Sequence, residues 1–217
     1  MKTKIGVFDS GLGGLSVANA IRVALPEHEV VFRNDEHHVP YGKRDPEEIM
    51  GFIVPIFEEL IDAGCKVIIV ACNTVTTTLI SQIRERFSIP LVAIEPMVKP
   101  ASQMTKTGVI AICATPTTLH SERYAELKRQ YAKNVTVIEP DCSDWSDMIQ
   151  NKEVDQNKIA KQINKALDKN ADTVVLACTH YHWIEDEINQ LTSGRAKVIQ
   201  PTHETLLQLK KVLLQLQ

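Results

Sequence analysis

A chain of 217 residues, 44% of them hydrophobic, can bury a sizeable core, and its formal net charge of −3 leaves no basic excess for a nucleic-acid backbone or an anionic membrane surface. Its lysines and arginines are scattered, so a small-molecule substrate is the expected partner, with no nucleic acid and no membrane. The five cysteines, Cys65, Cys72, Cys113, Cys142 and Cys178, are odd in number and widely spaced, which reads as reduced thiols in the cytoplasm rather than a disulfide framework.

The first residues, Met1 to Asp9, reach a carboxylate too soon for the hydrophobic region of a secretory signal, so the mature chain is expected to begin here. From there, β-branched apolar runs alternate with helical patterns to the end, the pattern of an α/β protein whose mostly parallel sheets carry helices on both faces. Strands are predicted at Lys4 to Phe8, Glu29 to Phe32, Lys66 to Ala71, Leu91 to Ile94, Thr107 to Cys113, Asn134 to Ile138, Asp172 to Ala177 and Lys197 to Ile199. The best-marked helix opens at Asp45-Pro46-Glu47-Glu48, with an N-cap carboxylate, proline at the first helical position and a glutamate three residues after the cap. Ile49, Phe52, Ile53, Ile56 and Leu60 are its expected buried face, and Gly64 is placed to end it. The uncharged run from Val67 to Ile83 contains Asn73 and several threonines and does not read as a membrane span.

Two strand ends are near copies: Val-Ile-Ile-Val-Ala-Cys72-Asn73-Thr74 and Thr-Val-Val-Leu-Ala-Cys178-Thr179-His180. The spacing from Cys72 to Cys178 equals the spacing from Asp9 to Thr115, the residues that close two further strands, and this common offset implies an internal duplication. The expectation is two pseudo-symmetric three-layer lobes, residues 1–96 and 97–199, with 200–217 returning to complete the first lobe and the active site in the cleft between them. In open α/β sheets ligands bind beyond the carboxyl ends of the strands, and Asp9, Ser10, Asp35, Cys72, Thr115, Cys178 and His180 gather at such ends. A lone cysteine is usually a small buried hydrophobe. A duplicated pair, one thiol per half, instead matches inversion of a carbon stereocentre by two acid/base groups, with the helix after each thiol helping to form the thiolate.

Gly11-Leu-Gly13-Gly14 after a strand also resembles a dinucleotide-binding turn, and Cys72, Cys178 and His180 are types that zinc accepts. The glycine turn has Ser16 at its third position and leaves the cysteines unexplained, while zinc lacks a fourth ligand. His37, His38, His120 and His203 read as surface or cap residues, Trp145 and Trp183 as packing anchors, and Cys142 as a loop residue open to solvent.

Phe8-Asp9-Ser10-Gly11-Leu12-Gly13-Gly14-Leu15, Val39-Pro40-Tyr41-Gly42, Ala71-Cys72-Asn73-Thr74, Ala114-Thr115-Pro116-Thr117-Thr118 and Ala177-Cys178-Thr179-His180-Tyr181 together resemble the glutamate racemases, in order and over nearly the whole chain. The resemblance implies a cofactor-independent isomerase that interconverts L- and D-glutamate with two bases and supplies D-glutamate for peptidoglycan, without pyridoxal phosphate or metal. Cys72 would take the α-proton of D-glutamate, assisted by Asp9, and Cys178 that of L-glutamate, assisted by His180. Ser10, Pro40, Tyr41, Gly42, Asn73, Thr74, Thr115, Thr118 and Thr179 match positions that hold the substrate, and a homodimer is a further expectation. Three positions depart from the family's usual pattern. Asn34-Asp35-Glu36-His37-His38 stands where Gly-Asp-Thr-Ala-Arg is usual, Gln150 falls where a glutamate assists the second cysteine, and His182 replaces a proline. Two alternatives stay open at this point: a racemase of another amino acid such as aspartate, and an amino-acid-binding relative without turnover.

Overall fold

The structure, a computed structural model, describes residues 2–216. In chain order the first half runs β1 (Lys4–Asp9), α1 (Leu15–Ala24), β2 (Glu29–Asn34), α2 (Pro46–Asp62), β3 (Val67–Val70), α3 (Asn73–Arg86) and β4 (Leu91–Ala93). The second runs α4 (Val98–Met104), β5 (Val109–Ala114), α5 (Pro116–His120), α6 (Glu122–Tyr131), β6 (Thr136–Ile138), α7 (Trp145–Gln150), α8 (Gln156–Leu167), β7 (Thr173–Ala177), α9 (Glu185–Thr192) and β8 (Lys197–Ile199), and α10 (Thr202–Gln215) follows. All eight predicted strands form, in two four-stranded sheets of the same order, β2-β1-β3-β4 and β6-β5-β7-β8. Every pairing is parallel. No helix among the described residues is long and apolar enough to cross a membrane.

The chain divides into two compact units, one ending at Ile94 and resumed at Thr202, the other spanning Glu95–Pro201. In the first, strand alternation sends Phe8, Ile68 and Val70 to one face, against Ile49, Ile53, Phe57 and Leu60 of α2 and Val75, Leu79 and Ile83 of α3. Ile5, Val7, Val67 and Ile69 face the other way, against Val17, Ala18 and Ile21 of α1 and Leu209 and Leu213 of α10. The second unit repeats the plan. Cys113, Val174 and Leu176 pack on α8 and α9 through Ile159, Ile163 and Ile188, while Ile110, Ile112 and Val175 pack on α4 and α6 through Val98, Ala101, Tyr124 and Leu127.

Two local features differ from the sequence expectation. Asp45 caps α2, its Oδ1 accepting from the Glu47 amide at 2.9 Å, but Glu48 pairs with Arg44 at 2.7 Å instead of reaching back to the cap. Gly64, with φ +87°, takes the left-handed turn after the helix, where a side chain would be strained. Of the expected buried face of α2, Ile49, Ile53 and Leu60 are buried and Phe52 and Ile56 only half-buried, while Phe57, whose ring lies edge-on to Phe8 at 5.3 Å, completes the stripe. The last helix has a counterpart: α4 follows β4 as α10 follows β8, and each packs in the unit opposite to the strand it follows. Residues 98–104 are too short, and too interrupted by Pro100, to show a helical period in the sequence.

If α10 is part of the first unit's core, Leu209→Ala, at a fully buried position, should lower unfolding stability by about 2–5 kcal/mol. Leu214→Ala on the exposed side of the same helix should change it by no more than about 0.5 kcal/mol. Urea midpoints of the two variants check this, and equal midpoints would refute the packing.

Candidate active site

Because every strand is parallel, the carboxyl ends of β1, β2 and β3 lie along one edge of the first sheet, and those of β5 and β7 along one edge of the second. Phe8 stands beside Val70 across β1 and β3, and the Ala71 amide donates to the Phe8 carbonyl at 2.7 Å, so the next residues, Asp9-Ser10 and Cys72-Asn73, leave adjacent strands side by side. In the second unit Ala114 is in register with Ala177, which brings Thr115 beside Cys178.

Asp9 is fully buried, and the turn that follows binds its carboxylate: Oδ2 accepts from the Gly14 amide at 2.8 Å and from the Gly11 amide at 3.4 Å. A Cβ at residue 14 would stand 2.4 Å from the Asp9 Cβ, so glycine is required by the close approach itself. The glycine-rich turn thus spends these amides on the protein's own carboxylate instead of on a pyrophosphate. Cys72, also buried, lies 3.4 Å from the Ser10 hydroxyl and directly precedes α3. Burial and the Asp9 charge push its thiol up to about 12, and the hydrogen bonds from Ser10 and from the Val75 amide at the helix start only partly offset them. The sequence expectation that the helix end would favour thiolate here is therefore corrected: desolvation outweighs it and Cys72 is a thiol at rest.

Asn73 is 2% exposed, yet neither its Oδ1 nor its Nδ2 has a hydrogen-bond partner among the described residues. A buried amide left unpaired costs about 1–3 kcal/mol, so the position is held for something other than stability. Thr74 is buried beside it. Asp35, just beyond β2, accepts from the Tyr41 hydroxyl at 2.7 Å, and both its oxygens lie 2.8 Å from Nδ1 of His38. Burial and this bond push the Tyr41 phenol well above its usual range. His38 stacks flat on Phe52 with ring centres 3.7 Å apart, and its carbonyl accepts from the Arg44 guanidinium. The Pro40-Tyr41-Gly42 segment is thereby tied to the strand end, Val39–Pro40 being cis and Tyr41–Lys43 a short 3-10 turn.

In the second unit the Thr115 hydroxyl caps α5, accepting from the Thr118 amide at 3.3 Å and donating to the Thr118 hydroxyl at 3.0 Å. Cys178 ends β7 and opens a 3-10 helix, Thr179–Ile184, in which Thr179 and His180 are buried. The Cys178 sulfur lies 3.9 Å from His180 Nδ1, and His180 Nε2 lies 2.8 Å from Oε1 of Gln150. Burial pushes the His180 imidazole down to about 4, with the Asp147 charge acting in the opposite direction. Burial likewise takes His182 to about 4.

The structure thus brings Asp9, Ser10, Cys72, Asn73 and Thr74 together at one strand edge and Thr115, Thr118, Cys178, Thr179 and His180 at the other. Sequence reading gave His38 and Gln150 no place in the first and second groups respectively; their only signal was departure from the family pattern. Cys142 proves buried, not open, because Tyr181 donates to its carbonyl at 2.9 Å and Trp145 packs edge-on to Tyr181. Trp145 anchors that core as expected, whereas Trp183 is half exposed.

Comparisons with known proteins establish the family. The profile of the Asp/Glu/Hydantoin racemase family matches residues 15–209. A glutamate racemase of Ralstonia pickettii is 36% identical over 203 residues, which is 92% of this chain and 72% of the relative. Among solved structures, Escherichia coli glutamate racemase in complex with L-glutamate and the activator UDP-MurNAc-ala aligns with a TM-score of 0.89 at 26% identity, over 98% of this chain and 83% of that one. Glutamate racemase of Francisella tularensis in complex with D-glutamate aligns at 0.82 and 28% identity, over 99% and 81%. With the family profile matched over residues 15–209 and the fold shared with glutamate racemases over almost its full length, this chain belongs to the Asp/Glu/Hydantoin racemase family, among the glutamate racemases.

Proposed function

We propose that the protein interconverts L- and D-glutamate by two-base proton transfer, with Cys72 and Cys178 as the bases. The observation that carries the reading is the pair of buried thiols at the ends of β3 and β7, strands that hold the same place in two sheets of the same order. The related enzymes of Escherichia coli and Francisella tularensis, solved with L-glutamate and D-glutamate respectively, support glutamate as the substrate.

Inversion needs one group that removes the α-proton and another that delivers a proton to the opposite face, and the reading requires the two thiols to do this in turn. Cys178 takes the proton of L-glutamate while Cys72 donates its own; in the reverse direction the roles exchange. Converting a thiol of pKa about 12 to thiolate at pH 7 costs about 7 kcal/mol, so the substrate must supply much of that on binding. Its ammonium group brings the positive charge that the first site lacks, and Asp9 is the carboxylate beside Cys72 that this charge offsets. Ser10, Tyr41, Gly42, Asn73, Thr74, Thr115, Thr118 and Thr179 offer neutral hydrogen-bonding groups, with Pro40 shaping the same segment, to hold the carboxylates in both enantiomers. Asn73 has a specific reason to belong here, because a bound carboxylate or ammonium would satisfy an amide otherwise unpaired. The chemistry asks only for two side-chain bases, so no cofactor enters it. The D-glutamate so made serves peptidoglycan, in the cytoplasm.

Two outcomes are expected. In deuterium oxide, the wild type should wash out the α-proton of L- and D-glutamate alike, followed by proton NMR, while Cys72→Ser and Cys178→Ser each abolish net racemisation in polarimetry. Full racemisation by either variant would end the two-base assignment. The second concerns acid stability. An imidazole held neutral down to about pH 4 in the folded chain, but protonated below about 6.5 when unfolded, stabilises the fold fully above 6.5 and loses that contribution as pH falls through 4. His180 alone should account for about 3 kcal/mol of that loss. Urea unfolding at pH 7.5 and 4 should show a smaller loss in His180→Asn, reduced by about half because His182 contributes similarly.

A further inference from the structure

We propose that Gln150 is a positioning residue that fixes His180 as the Nε2–H tautomer of neutral imidazole, leaving the Nδ1 lone pair turned toward the Cys178 thiol. The inference deepens the racemase reading and rests on it only for its catalytic consequence.

Gln150 closes α7, whose first residue, Trp145, is fully buried against Tyr181 of the 3-10 segment that carries His180. Tyr181 is fastened in turn to the Cys142 carbonyl. Gln150 and His180 therefore sit on two elements locked together by an aromatic contact, and their 2.8 Å approach is fixed by packing. An amide oxygen only accepts, so the nitrogen facing it, Nε2, must carry the proton. A neutral imidazole carries one ring proton, so Nδ1 is bare and can only accept. The atom before it, at 3.9 Å, is the Cys178 sulfur, and a bare nitrogen there calls for S–H on the sulfur.

A glutamate at position 150 would also accept from Nε2, but its charge would favour imidazolium, and an imidazolium donates from Nδ1 to a thiolate. Glutamine supplies the same bond without the charge. It thus selects the uncharged pair, thiol and imidazole, over the charged pair, thiolate and imidazolium, in the empty site. The titratable groups around His180 are Cys178 and His182 on its own segment and Asp147 on α7. Burial favours the neutral ring and Asp147 opposes it, with burial the larger effect. When L-glutamate calls for a base, the S–H bond of Cys178 breaks, its proton bonds to Nδ1, the electron pair stays on sulfur, and Nε2–H remains on Gln150. The thiolate becomes a thiol again by taking the α-proton, and the extra proton then leaves Nδ1 for solvent while Cys72, which has given its proton to the opposite face, takes one up.

Nitrogen-15 NMR of the full chain labelled at histidine tests this without any assay of turnover, with His180 signals assigned by their loss in His180→Asn. The expected wild-type spectrum at pH 7 shows a pyridine-type Nδ1 and a pyrrole-type Nε2. Gln150→Glu should turn both nitrogens pyrrole-type and move the pH dependence of kcat, and Gln150→Ala should lower kcat about tenfold with KM nearly unchanged, the worth of one hydrogen bond. A pyrrole-type Nδ1 in the wild type would overturn the proposal, as would a Gln150→Glu protein whose spectrum and pH profile match the wild type. The predicted tautomer in a protein that leaves both glutamate enantiomers untouched would uphold the assignment at Gln150 and refute the functional reading, so the two stand or fall separately.

Discussion

Parallel pairing at the centre of each sheet is the constraint on which the rest depends. A parallel neighbour demands a helical crossover, and a crossover returns every strand in the same direction, so all the reactive residues that terminate strands must arrive at one edge. With β1 beside β3 and β5 beside β7, the register sets Asp9-Ser10 next to Cys72 and Thr115 next to Cys178 before any side chain is chosen. The strands can stay central because both of their faces are apolar. Val67 to Val70 and Thr173 to Ala177 are buried without a break, and helices on either side cover them. The exchange of α4 and α10 between the two units follows the same need: each unit has a sheet face that its own chain segment leaves short of one helix, and the helix after the other unit's last strand fills it.

That architecture sets the electrostatics of the chemistry. A strand end inside a three-layer unit is dry, and a dry thiol resists ionisation, as Cys72 shows. The charge of Asp9 beside it raises the cost further, and the amides of Gly11 and Gly14 hold that carboxylate in place. Such an arrangement makes a poor base in the empty protein and a responsive one when a cation enters. In the proposed mechanism the substrate's ammonium group supplies the activation, because a fixed cation would hold the thiol ionised and bind one face preferentially.

Much of this was legible in the sequence because it is local. Eight strands were marked by β-branched runs, the duplication by two near-identical strand ends, and the site by polar residues where apolar runs stop. The strand limits shifted by at most two residues, as at Lys66 to Ala71, where the ordered pairing covers only Val67–Val70. What stayed hidden depends on contacts between distant segments. Nothing around Cys142 signals that Trp145 and Tyr181 will bury it, and a seven-residue helix holding Pro100 carries no amphipathic period. The direction of the Cys72 shift was misread for a related reason: the helix after it is visible in the sequence, whereas the degree of burial and the approach of Asp9 are not.

The departures from the family pattern become coherent once their contacts are known. At His38 an imidazole takes up both oxygens of Asp35 where the usual residue is arginine, and at Gln150 an amide takes up His180 where the usual residue is glutamate. Each offers a hydrogen-bonding partner where the resembled pattern has a charged side chain. One substitution removes a fixed positive charge from the neighbourhood of the first strand edge and the other a negative charge from the second. The Tyr41–Asp35 and His180–Gln150 bonds, 2.7 and 2.8 Å long, fix the direction of each pair. On the proposed reading, a neutral amide at Gln150 leaves the choice of which thiol is ionised to the bound amino acid more than to a fixed charge beside His180.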